Sequence, residues 1–308
     1  MKPEKVIVND VGPRDGLQNQ PRVLDVAQRL QLVAALRRAG MDHIEVGSFV
    51  SPKAVPAMAG TDRVVAGLQD AASSHYSALI PNLRGYELAR DAGVNTVVMV
   101  LYGSDGMARK NVNMSREQAD DVTEAILVQA RRDGVDVIAT IGVAFECPFD
   151  GPVDPALIAD SAARFLAQGV SRYVLADTIG AANPRQVAGV CDRLVATHGA
   201  QRLGCHFHDT RALGLANVYA AVESGMRYFD ASIAGLGGCP FAPLASGNVA
   251  TEDVVMLLQQ LGYDTGIDLD ALLAASDLAE QLTGTAPGGR AKSWLKPWLA
   301  KRHAQTTC

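Results

Sequence analysis

The feature that most constrains this chain is a regular alternation: eight apolar runs of strand length, each followed by a stretch with helical periodicity. The runs are VIVNDVG from Val6, HIEVGSF from His43, HYSALIP from His75, TVVMVLYG from Thr96, DVIATIGVAF from Asp136, RYVLADT from Arg172, LGCHFHD from Leu203 and YFDASIAG from Tyr228. Strands joined through helices pair in parallel, because the crossover returns the chain to the same end of the sheet. Five helical stretches end in a glycine shortly before the next strand, at Gly40, Gly93, Gly134, Gly169 and Gly225. A left-handed C-cap at those positions carries no Cβ penalty. Eight such units within 308 residues predict an α/β fold closed as a (β/α)8 TIM barrel, with an open doubly wound sheet as the alternative. After about Ala250 only helical patterns follow, TEDVVMLLQQLGY and DLDALLAASDLAEQLTG, and then a polar, Pro- and Gly-punctuated stretch containing Trp294 and Trp298. The expected organisation is one catalytic unit over 1–285, including a C-terminal helical extension, and a polar tail over 286–308. The tail is expected to pack on the barrel or on a second subunit, and a homo-oligomer, a dimer, is the expected assembly.

Composition narrows the function classes. With 48% hydrophobic and 20% charged residues the chain can bury a large aliphatic core. Its net charge of -5, with both signs interspersed, offers no basic face for a phosphate backbone, so nucleic acid is not an expected partner. No stretch reaches the roughly 18 apolar residues of a membrane span, and the opening MKPEKVIVND lacks the apolar core of a signal peptide. The expected location is the cytoplasm. Five cysteines without a CxxC spacing argue against a disulfide framework or a zinc ribbon, and are expected to be free thiols.

In such a barrel the C-terminal ends of the strands carry the chemistry. The polar residues there are Arg14, Asp15 and Gln18 after the first strand, Glu45 and Ser48 on the second, Asp177 and Thr178 on the sixth, and His206, His208 and Asp209 on the seventh. Cys239 and Asn248 follow the eighth. His206 and His208, two apart on a strand, project to one face and can share a metal ion. The competing reading is a pair of hydrogen-bonded barrel histidines, and for His43, His75, His198 and His303 that plainer reading is preferred. GPRDG alone reads as a turn with a solvated ion pair. Beside the histidine pair, Asp15 becomes a third ligand and Arg14 a fixed cation for a developing oxyanion. Glu45 and Asp177 interrupt or end apolar runs, so each needs either a structural salt bridge or a role in holding a ligand histidine or the cation's waters. GLGGCP from Gly235 lacks a phosphate-loop pattern and reads as a mobile loop able to deliver Cys239.

The combination VGPRDGLQN, IEVGSFVSPK, LADTIG, HFHDT and GLGGCPFAPLASGNVATED resembles the 3-hydroxy-3-methylglutaryl-CoA (HMG-CoA) lyases, from about Val6 to Gly266. The resemblance implies a carbon–carbon lyase that cleaves HMG-CoA to acetyl-CoA and acetoacetate. It implies a divalent cation held by Asp15, His206, His208 and Asn248, with Arg14 over the thioester oxygen and Cys239 as the acid on the mobile loop. Glu45 and Asp177 match carboxylates of the family's site. Gln18 and Ser48 fall where substrate contacts are expected, and Thr178 and Asn111 join them as substrate-side candidates. Oxygen and imidazole ligands with room for water suit Mg²⁺ or Mn²⁺. The acyl-CoA is expected to lie across the barrel mouth, where the loop ARKNVN offers Arg109, Lys110 and Asn111 to its phosphates. The base stays open between His206, Asp15 and a water supported by Glu45. One segment departs from the family pattern: strand five ends IGVAFECPFDG, where the best-known members carry a Ser-Cys version. Thr140, Gly142, Phe145 and Glu146 are therefore expected to line a different acyl pocket. That departure keeps open a related tertiary acyl-CoA such as citramalyl-CoA, and a Claisen-type condensing enzyme. A silent, CoA-binding barrel is the reading from another class.

Overall fold

The computed structural model of the chain describes residues 3–69, 74–238, 247–285 and 288–306, the last five of these by backbone alone. The strands are β1 (Ile7–Asp10), β2 (His43–Ser48), β3 (His75–Leu79), β4 (Thr96–Tyr102), β5 (Asp136–Gly142), β6 (Glu146–Cys147), β7 (Gly151–Pro152), β8 (Arg172–Asp177), β9 (Leu203–Phe207) and β10 (Tyr228–Ala231). The helices are α1 (Val26–Arg38), α2 (Thr61–Ala66), α3 (Leu83–Asp91), α4 (Asp105–Val112), α5 (Arg116–Asp133), α6 (Pro155–Ala167), α7 (Pro184–His198), α8 (Gly214–Glu223), α9 (Thr251–Gln260), α10 (Leu269–Thr283) and α11 (Lys292–Thr306). Eight strands close a barrel in the order β1-β10-β9-β8-β5-β4-β3-β2, every pair parallel. The eight apolar runs therefore form the (β/α)8 barrel that their alternation predicts. All five predicted C-cap glycines have positive φ, from 70° to 94°.

Local chemistry starts the helices as firmly as glycine ends them. Asp25, Asn82, Ser104, Ser115, Asp154, Asn183 and Asp268 each accept a hydrogen bond from a first-turn amide. Apolar side chains on alternate strand positions, such as Val97, Met99 and Leu101 on β4, pack outward against the helices. The positions between them face the barrel axis. At its N-terminal end His43 and His75 stack at 4.3 Å and Arg172 lies 4.0 Å over the Tyr228 ring, so these histidines close the barrel floor, as the plainer reading holds.

Four local expectations are revised. GPRDG is not an open turn but one turn of π-helix, Gly12–Gly16. ARKNVN is not a loop, because Ser104 caps α4 through the Met107 amide and Arg109, Lys110 and Asn111 lie in its last turns. The run after β5 folds back as the β6–β7 hairpin, anchored where Asp150 accepts from the Gly106 amide at 2.6 Å. The stretch after 286 carries α11: Leu295 and Leu299, four apart, bury against Leu273, and Lys292 pairs with Asp277 and Glu280. The interspersed lysines and Pro297 mask that spacing in the sequence.

Candidate active site

Asp10, buried at the end of β1, accepts from the Gly12 amide at 2.8 Å and from Thr251 Oγ1 at 2.7 Å. A side chain at residue 12 would meet Asp10 and Ile233 at 2.7 and 2.8 Å, so glycine is required there. The π-turn that follows swings Arg14 and Asp15 over the C-terminal mouth. Arg14 donates from Nε and Nη2 to the two oxygens of Glu45, at 2.9 and 3.1 Å, and from Nη1 to Asp15 Oδ1 at 2.6 Å. A bidentate pair of this kind locks a guanidinium plane. Three of its five N–H groups are committed, which leaves two for another acceptor.

Asp15 is the centre of the constellation. Its Oδ1 also accepts from Gln18 Nε2 at 3.0 Å, and its Oδ2 accepts from Asn248 Nδ2 at 2.7 Å. Burial opposes its ionisation, but Arg14, His206 and His208 outweigh burial and hold its carboxyl down at about 2. His208 Nε2 lies 4.0 Å from Asp15 Oδ2, and the rings of His206 and His208 are 5.2 Å apart on the same face of β9. Ligand atoms of Asp15, His206 and His208 all fall within 4.8 Å of one another, and all three residues are buried.

Two further observations fit this cluster to a divalent cation. Asn248 spends Nδ2 on Asp15 and on the Leu236 carbonyl, and its buried Oδ1 has no hydrogen-bond partner. A buried carbonyl oxygen without a partner is costly unless something electropositive meets it. Asp230, on β10, receives His206 Nδ1 at 3.2 Å and is itself fixed by Asn9 Nδ2 at 2.8 Å. That relay presents His206 Nε2 to the cluster, as carboxylate–histidine pairs do behind metals. Burial disfavours the imidazolium of His206, yet Asp230 outweighs it and raises the pKa. Burial and the neighbouring His206 push His208 down to about 4.

Arg14, Asp15, Gln18, Glu45, His206, His208 and Asn248 thus converge, as their positions at strand ends predict. Ser48, the last residue of β2, is buried and its Oγ has no partner. Asp177, at the end of β8, accepts from the amides of Ala181 and Ala182 and so shapes the loop that follows; burial raises its carboxyl to about 6, against the pull of those amides and of the nearby Arg211 and His206. Thr178 Oγ1 accepts from the Val143 amide at 2.7 Å, holding the end of β5. Asn111 donates to Tyr102 Oη at 2.9 Å. Phe145 is buried and its ring lies 6.4 Å from that of Phe207 in the main apolar core. Cys239 lies outside the described residues, although Gly238 at its border accepts from Asn19. Sequence reasoning missed Asp230 and Asn9. The signal was present, because Asp230 interrupts the apolar run YFDASIAG just as Glu45 interrupts HIEVGSF.

Among the described residues no helix is long and apolar enough to cross a membrane. A family model described as HMGL-like matches residues 5–279. An (R)-citramalyl-CoA lyase from Chloroflexus aurantiacus is 45% identical over 286 residues, covering 89% of this chain and 90% of that protein. A 3-hydroxy-3-isohexenylglutaryl-CoA/hydroxymethylglutaryl-CoA lyase from Pseudomonas aeruginosa is 42% identical, covering 97% of this chain and 99% of that protein. The structure of an HMG-CoA lyase from Acinetobacter baumannii, in complex with coenzyme A and 3-methylmalate, superposes with a TM-score of 0.89 at 37% identity, covering 94% of each chain. With its barrel and its buried Asp/His cluster, the chain belongs to the HMGL-like family, that of the HMG-CoA lyases, and is a carbon–carbon lyase.

Proposed function

We propose that the chain cleaves a tertiary 3-hydroxyacyl-CoA, with HMG-CoA as the substrate, into acetyl-CoA and acetoacetate. The observation that carries this reading is the contact of two devices: the Asp15/His206/His208/Asn248 cluster and an Arg14 guanidinium locked against Glu45. A divalent cation held there, Mg²⁺ or Mn²⁺, would lower the pKa of a bound alcohol and neutralise charge. The chain's own residues do the rest. Asp15 stays ionised, and Asn248, tied to Asp15 through Nδ2, would offer its unpartnered Oδ1 as an oxygen ligand. Asp230 keeps His206 Nδ1 protonated. The hydroxyl proton of the substrate passes to a base, for which His206, Asp15 and a water supported by Glu45 are the candidates, and as the C2–C3 bond breaks the two uncommitted N–H groups of Arg14 stabilise the enolate oxygen of the departing acetyl-CoA. Cys239, four residues beyond Gly235, is the proposed donor of the proton to the enolate carbon.

The Chloroflexus relative supports a second substrate, citramalyl-CoA, which would yield acetyl-CoA and pyruvate. Purified protein given each acyl-CoA with Mg²⁺ or Mn²⁺ is expected to release acetyl-CoA and acetoacetate in equal amounts from HMG-CoA, and to lose that activity with a chelator. Pyruvate from citramalyl-CoA alone would establish the second reading. Cleavage of neither would refute both.

Metal binding itself should depend on pH. His206, with its raised pKa, must lose a proton to serve as a ligand, whereas His208 is neutral above about 4 and adds no proton competition in the working range. Mn²⁺ affinity measured by titration calorimetry should therefore weaken as pH falls through the titration of His206, by about tenfold per unit below it, with one proton released per ion bound. Asp230→Asn should move that dependence to lower pH. An affinity flat from pH 6 to 8 in both proteins would remove His206 from the ligand set.

A further inference from the structure

Arg29, on α1, is fully buried, and no carboxylate stands against it among the described residues. Its guanidinium donates to the carbonyls of Ala59 at 3.1 Å and Val46 at 3.2 Å and to Thr61 Oγ1 at 3.1 Å, and its Nε has no partner. Burying an unpaired cation is expensive, so what it holds must matter. What it holds is the irregularity in β2. Glu45 pairs with Ser77 of β3 but Gly47 pairs with the very next residue, Ala78, which leaves Val46 as an extra residue in the ladder.

The bulge resets which way the strand faces. Glu45 points into the barrel, against Arg14. Strict alternation would turn Gly47 inward and Ser48 outward. Instead Val46 lies in the outer core, and a side chain built on Gly47 would meet Arg29 Nη2 at 2.6 Å and Thr61 Oγ1 at 2.7 Å, both on the helix side. Two successive residues face outward, so Ser48 returns to the barrel axis. Its hydroxyl is buried there without a partner, and its amide meets Thr61 Oγ1 at 3.4 Å. Thr61 is tied down in turn by donating to the Met58 carbonyl at 2.8 Å.

We propose that Arg29, acting with Thr61, is the positioning residue for Ser48: it clamps the β2 bulge that turns the Ser48 hydroxyl into the mouth, where it contacts the acyl-CoA. The inference rests on the acyl-CoA reading above for its substrate, but the clamp itself does not need a substrate to be seen. The test compares wild type, Ser48→Ala, Arg29→Met, the double variant and Thr61→Val. Turnover is expressed per folded molecule, and amide hydrogen exchange of the peptide spanning β2 is followed by mass spectrometry.

Ser48→Ala should lower kcat/KM about tenfold, the size of one lost buried hydrogen bond. Arg29→Met should lose at least as much, and adding Ser48→Ala to it should cost nothing further, because the hydroxyl is already misdirected. Arg29→Lys should recover part of the loss, and Mn²⁺ affinity should not change in any of these proteins. Exchange across β2 should quicken in Arg29→Met while β8 is unaffected. If Arg29→Met does not fold, Thr61→Val, which replaces the hydroxyl with a methyl group of about the same size, runs the same cycle with Ser48→Ala. Losses that multiply in the double variant, or wild-type exchange across β2, would overturn the clamp. A wild-type protein that cleaves no acyl-CoA would instead sink the substrate reading and leave the exchange measurement to decide the clamp.

Discussion

His208→Ala is expected to abolish stoichiometric Mn²⁺ binding and catalytic turnover together, in a protein that remains folded. The ring is buried, is kept neutral by burial and by His206, and faces Asp15 across 4.0 Å, so it is a ready ligand that needs no proton to leave. Removing a residue behind a metal ligand typically costs about 10–100-fold in affinity, and removing a ligand outright should cost more. The barrel should tolerate the change, because the Nδ1 of this histidine makes no hydrogen bond that the fold would lose. Calorimetry and metal analysis after dialysis give the first readout, and acetyl-CoA release gives the second. A variant that keeps both metal and turnover would show that the Asp/His cluster is not the cation site.

Arg14→Gln should separate these two readouts. Losing a fixed cation at a developing oxyanion costs about 10²–10³ in rate. Glutamine keeps a polar group but no charge, and cannot make the bidentate contact that locks Glu45. Metal affinity should be retained or rise, because Asp15 now spends none of its charge on Arg14 at 2.6 Å. The expected outcome is a kcat lowered by two to three orders of magnitude with metal content intact. A kcat close to wild type would make Arg14 a residue of the π-turn and nothing more.

Much of this molecule was legible because its signals are local. Strand runs, helical periods and αL glycines are set within a few residues of chain, and each appears where the pattern places it, from β1 to the Gly225 cap. The HxH spacing is equally local, since a period of two puts His206 and His208 on one face of any strand. Where local signals conflict, reading fails: α11 was hidden by its lysines and proline, and the last turns of α4 by the polar run ARKNVN.

The site's membership was a different matter, because it depends on barrel closure. Asp15 and Asn248 share a hydrogen bond across 233 residues, and only the closing pair β1–β10 brings their elements together. Position alone could not say what each buried acid near a strand end engages: Glu45 pairs with Arg14, whereas Asp177 accepts from the amides of Ala181 and Ala182. Glu45 and Ser48 make the same point most sharply. Both were expected at the mouth, yet they are three apart on one strand, and an even two-residue period cannot face both inward. Only the extra residue at Val46, clamped from outside the barrel by Arg29, reconciles them. Composition and periodicity by themselves determined the barrel and the strand ends at which its chemistry lies. Which side chains meet there was decided by register and closure, because a single inserted residue reverses every facing that follows it.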